Sequence, residues 1–131
     1  AFGCGGFVYA GVVGVVLARL GQSRMVRLGG VLAGGGLLGM ALAAQAWAFI
    51  GCALLVGVGF FMIHNTIQVR VTEVAPQARG SAIAMHSFSF FIGQSVGAAL
   101  MGVVLAVMGS ALAFAWVAVA LVGLGWWLGR R

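Results

Sequence analysis

Lysine is absent from this 131-residue chain, which also holds a single acidic residue, Glu73, a single proline, Pro76, and only two cysteines. Each shortage excludes something. Charged residues make up 6% of the sequence, against about a quarter in a soluble globular domain, so there is no polar shell to face water. One carboxylate gives no acid–base pair and no acid to complete a Ser-His triad. Two histidines without ligand spacing or a third ligand make no metal centre by sequence. A membrane-embedded enzyme and a bound cofactor are therefore not expected. Cys4 and Cys52 stand in no spacing motif and read as apolar free thiols rather than a disulfide. The run Gly34-Gly35-Gly36 lies in an apolar stretch with no Lys after it, which argues against a phosphate loop.

What is present is apolar: 63% of the residues are hydrophobic and the mean hydropathy is +1.19. The seven basic residues are all arginines, gathered into three clusters: Arg19, Arg24 and Arg27; Arg70 and Arg79 on either side of Glu73; Arg130 and Arg131. A basic stripe on a soluble face would point to nucleic acid. Here the arginines cap apolar stretches, so they set orientation and no nucleic-acid partner is expected. No charge stands between Arg27 and Arg70 or between Arg79 and Arg130. As helices those stretches would reach roughly 63 and 75 Å, about twice the ~30 Å hydrocarbon layer. Each must cross a bilayer twice, turning near residues 45–47 and 108–110, which puts all three clusters on one face. Basic loops mark the cytoplasm.

The expected fold is all-α, a polytopic transmembrane bundle of five helices over about 1–18, 26–44, 48–69, 80–107 and 111–129. An odd count places the amino end outside and the carboxyl end in the cytoplasm. Lipid-exposed backbone must satisfy its own hydrogen bonds, and neither span length nor pattern suits barrel strands. Residues 1–18 lack the basic leader of a signal peptide, and with no initiator Met the chain is expected to continue upstream. Glycine pairs at four-residue spacing, Gly35 with Gly39, Gly93 with Gly97 and Gly125 with Gly129, predict close helix approach. Trp47, Trp126 and Trp127 fall near span ends, where indoles prefer the interface.

Polar residues divide the helices into two kinds. Spans 26–44 and 111–129 hold almost none and are expected mainly to face lipid. The third span carries His64, Asn65, Thr66 and Gln68, and the fourth carries His86, Ser87, Ser89, Gln94 and Ser95. Such side chains at membrane depth face a bundle interior or a water-filled cavity. At 100° per residue His64 and Gln68 lie about 40° apart, with Asn65 at the flank; Ser87 and Gln94 share a stripe beside His86. Both histidines should sit roughly 9–10 Å inside the cytoplasmic boundary, at matching depth on antiparallel helices. Two readings stay open: packing residues hydrogen-bonded to a carbonyl or Ser, or groups that contact substrate or move protons.

At the first loop the chain reads Gly14-Val-Val-Leu-Ala18-Arg19-Leu-Gly21-Gln-Ser-Arg24, which resembles the G-x-x-x-D-R-x-G-R-R signature of major facilitator superfamily transporters. Gly14, Arg19, Gly21 and Arg24 match; Ala18 stands where the family has Asp. The second loop, Glu73-Val-Ala-Pro76-Gln-Ala-Arg79-Gly80, is similar to the family's E-x-x-P-x-x-R-G pattern. The resemblance implies helices 8–12 of a twelve-helix transporter, with the segment from Phe60 to Gly97 most like bacterial efflux-type members.

A secondary active transporter of small solutes follows, working by alternating access, with proton-coupled efflux expected. Its partners would be the lipid bilayer, a small-molecule substrate and an amino-terminal half; its location, the bacterial inner membrane. The substrate or proton route would use His64, Asn65, Gln68, His86, Ser87 and Gln94. A cytoplasmic gate would use Gly14, Arg19, Gly21, Arg24, Glu73, Arg79 and Gly80, with Glu73 expected to pair with Arg19, Arg24, Arg70 or Arg79. The rival reading is a self-contained oligomeric channel or structural membrane protein.

Overall fold

A computed structural model describes the backbone of residues 2–130 and the side chains of residues 3, 4, 6–12, 15 and 19–130. Among these residues there is no strand. The helical run Phe2–Leu42 is broken at Gly21, where φ 71° and ψ 166° leave the helical region. Only glycine occupies that region without strain. The break separates α1 (2–20) from α2 (22–42). Then follow α3 (Ala46–Val74), α4 (Arg79–Met108) and α5 (Ser110–Leu128). Four segments, Arg19–Leu42, Ala46–Val74, Arg79–Met108 and Ser110–Leu128, are long and apolar enough to cross a membrane. The link at 43–45 meets the expected turn at 45–47 only at residue 45, because Ala46 and Trp47 already belong to α3, and Gly109 falls within the expected 108–110. Gly109 repeats the Gly21 conformation, with φ 77° and ψ 168°.

The glycine run of α2 builds the packing. Successive helical residues point 100° apart, so neighbouring glycines meet different helices. A Cβ placed on Gly36 would lie 2.8 Å from the Cys52 carbonyl oxygen of α3. One on Gly30 would lie 3.0 Å from the Leu121 carbonyl oxygen of α5, and one on Gly34 would lie 2.9 Å from that of Ala118. Gly29 faces Gly59, and Gly30 faces Gly125. The contacts run in opposite chain directions in both pairs, so α3 and α5 are each antiparallel to α2. Bare backbone on both sides lets the helices approach closely, the main source of helix association where lipid removes the hydrophobic drive.

These contacts change the expected glycine register. Gly39 and Gly125 do pack, against Cys52 and Gly30, and Gly129 meets Arg27, but a Cβ on Gly35, Gly93 or Gly97 would have nothing within 4 Å. The place of α2 differs too. It was expected mainly to face lipid, yet Met25, Val26 and Ala33 are almost fully buried, and beyond Arg24 only the stripe Leu28, Val31, Gly35, Leu38 and Leu42 is exposed. A helix poor in polar groups can pack as a hub as readily as it can face lipid. Tyr9, Met25 and Met62 close the core shared by α1, α2 and α3. By contrast, α4 has no buried residue.

Candidate functional site

Two polar clusters stand out, one at the arginine-rich end and one between α3 and α4. At the first, the side chains of α2 and α3 reach the end of α5. A helix leaves its last carbonyls without partners, and its dipole makes that end negative. Arg27 Nη2 donates to the Gly129 carbonyl at 2.7 Å, and Arg70 Nη1 to the Leu128 carbonyl at 2.9 Å. The Arg27 guanidinium also lies 5.2 Å from the Trp126 ring centre, within cation–π range. Two arginines thus cap a third helix and tie α2, α3 and α5 together.

Arg70 extends the network. Its Nη2 donates to Ser23 Oγ at 3.3 Å, and its Nε to Gln22 Oε1 at 3.4 Å; Gln22 Nε2 in turn donates to Glu73 Oε1 at 3.1 Å. Among the described residues the sole carboxylate is therefore held by an amide, with Arg70 one residue removed, rather than in the direct ion pair expected. An open cleft of 700 Å³ is lined by Gln22, Ser23, Arg70, Glu73 and Val74. Of the expected gate residues, Gly21 forms the α1–α2 break, while Arg19, Arg24, Arg79 and Gly80 are exposed around this end. Gly14 lies outside the residues whose side chains are described. Gln22, Ser23, Arg27 and Arg70 were not among the expected gate residues.

The second cluster forms because α3 and α4 are antiparallel and carry an aromatic pair four residues apart on each, Phe60 with His64 and His86 with Phe90. Phe60 and His64 are stacked, with ring centres 5.6 Å apart at 7°. Across the helices, His64 lies 4.7 Å from Phe90 and 5.8 Å from His86, and Phe60 lies 6.3 Å from Phe90. The rungs of the ladder are thus Phe60 against Phe90 and His64 against His86. His86 Nε2 is buried without a hydrogen-bond partner among the described residues.

The remaining expected route residues do not join this pair. Asn65 turns the other way, its amide beside the Tyr9 phenol of α1. Gln94 lines an apolar groove of 840 Å³ between α4 and α5, with Met101, Met108 and Trp116. Gln68 and Ser87 are half-buried. Thr66 and Ser95 satisfy themselves, donating to the carbonyls of Met62 at 2.7 Å and Phe91 at 2.9 Å, the usual back-bond of a helical hydroxyl.

A five-helix bundle with four segments able to cross a membrane, basic residues gathered near its helix links and polar side chains on two neighbouring helices defines a polytopic integral membrane protein. A family model described as "transmembrane secretion effector" matches residues 43–129, the part that carries α3, α4, α5 and the Glu73–Gly80 loop. The chain belongs to this family of the major facilitator superfamily, and its role is in transmembrane transport. No curated protein and no solved structure matches the chain significantly.

Proposed function

We propose that the chain forms the carboxyl-terminal helices of a secondary transporter that exports small solutes across a bacterial inner membrane by alternating access, with proton coupling. The arginine-rich end is the cytoplasmic gate, and α3 and α4 line the solute path opposite a further helical half. The observation that carries this reading is α4: it bears His86, Ser87, Ser89 and Gln94, yet none of its residues is buried in this bundle. Polar side chains at membrane depth need a cavity or another protein surface against them. With no Asp or Glu within the expected spans, the two histidines are the groups of this chain able to carry protons near neutral pH.

The test is transport by the full-length protein in proteoliposomes across about pH 5.5 to 8.5, beside stability measurements on the same variants. His64→Ala or Gln68→Ala should change substrate affinity or the pH profile while leaving the protein folded. Unchanged kinetics together with lowered stability for His64→Ala would leave these residues a packing role alone.

A further inference from the structure

We infer that His64 and His86 form a two-imidazole binding site for a monovalent transition-metal cation of the Cu(I) or Ag(I) type, bridging α3 and α4. Three observations carry this. The imidazole ring centres are 5.8 Å apart and tilted by 35°. With metal–nitrogen bonds of ~2.0 Å, a cation shared by two imidazoles holds their ring centres about 5 to 6.5 Å apart, from a tetrahedral to a linear angle. The observed separation lies within that range.

Next, the chemistry of the cluster selects the ion. His86 Nε2 is buried and unpartnered, so one ligand nitrogen is already stripped of competing donors. No group of three or more His, Cys, Asp or Glu able to hold a metal exists among the described residues. Ions that demand four protein ligands are poorly served, whereas d10 monovalent copper and silver are content with two. Imidazole suits copper, while calcium and magnesium require oxygen ligands.

Finally, charge favours a single positive ion. Both ligands are neutral, and the rest of the ladder, Phe60 and Phe90, is aromatic. A divalent ion would enter this apolar setting with no carboxylate to offset it, and burying uncompensated charge is costly. A monovalent ion has half that charge, and the polarizable rings of Phe60 and Phe90 pack beside the imidazoles. The site follows from the ladder geometry alone and does not depend on the transport reading.

The test uses the chain purified in detergent with Cys4→Ser and Cys52→Ser, which removes the competing thiols, and with ¹⁵N-labelled imidazoles. The chain has only two histidines, so their signals are assigned by single replacement. Silver nitrate added in chloride-free buffer should shift the ring-nitrogen resonances of both histidines together and saturate at one equivalent. His64→Gln and His86→Gln should each weaken that binding at least tenfold, while Mg²⁺ should shift neither resonance. Independent movement of the two signals, movement of one alone, or none at all overturns the bridging site without recourse to any variant. Because this readout involves no transport, its failure would leave the export proposal standing, and the proteoliposome result would leave this one standing.

Discussion

Replacing each glycine of the run Gly34-Gly35-Gly36 by Ala separates backbone propensity from helix packing at three adjacent positions. The three share one helix and one chemical change, so the gain from helix propensity, about 1 kcal/mol per Gly→Ala, is common to all. The surroundings differ. A Cβ at 36 would lie 2.8 Å from the Cys52 carbonyl oxygen and 3.0 Å from the Val56 nitrogen, and one at 34 would lie 2.9 Å from the Ala118 carbonyl oxygen. These are backbone atoms, which yield only if whole helices move apart. At 35 nothing lies within 4 Å. Overpacking costs about 1–3 kcal/mol, so Gly34→Ala and Gly36→Ala should each be less stable than Gly35→Ala by about that amount, with Gly35→Ala at or slightly above the parent. Reversible unfolding in mixed detergent–SDS micelles, followed by tryptophan fluorescence, measures the difference. Equal stability of the three variants, or loss at 35 alone, would refute the assignment of α2 as the hub.

Further outcomes are expected elsewhere. Arg70→Ala leaves the part-buried Leu128 carbonyl without its donor and releases Gln22 and Ser23, at about 1 kcal/mol for a hydrogen bond that water partly replaces; Gln22→Leu frees Glu73 and removes the longer Arg70–Gln22 bond but keeps the Leu128 cap, so it should cost less, which the same unfolding assay ranks. Gly21→Ala and Gly109→Ala each force a side chain into a glycine-only conformation at about 1–3 kcal/mol, an effect that Asn or Asp should not rescue because ψ near 170° lies outside the left-handed helical region. In membranes, cysteines placed at Gln77 and at Ser110 in a background without Cys4 and Cys52 should be modified by an impermeant thiol reagent from opposite sides, Gln77 from the cytoplasm. Modification of both from one side would contradict the hairpin between them.

The helices were legible because charge and hydropathy act over whole spans: a stretch twice the membrane thickness has to fold back, and it does so at 43–45 and at Gly109. The meeting of His64 with His86 was legible as matching depth on antiparallel neighbours. The packing partners were not, since Gly34, Gly35 and Gly36 are the same residue in sequence and differ only in the helix each one faces. The capping roles of Arg27 and Arg70 escaped for a related reason. The carbonyls they reach belong to the end of α5, 102 residues beyond Arg27 and 58 beyond Arg70, and no local motif encodes a partner that distant. Gln22 was not legible either, since its partners Glu73 and Arg70 lie on α3, 51 and 48 residues away.

The aromatic ladder holds α4 near its amino-terminal third. Beyond Phe90 the glycines at 93 and 97 have empty space around them, and the next fixed point is the single-residue link at Gly109. About 27 Å of helix therefore extends past the grip. On an arm of that length a tilt of about 10° carries the far end about 5 Å, while rings held at the pivot shift by a small fraction of that. A pivot at the histidines would therefore act through a long arm, and that arm forms one wall of the groove that holds Gln94 and Trp116.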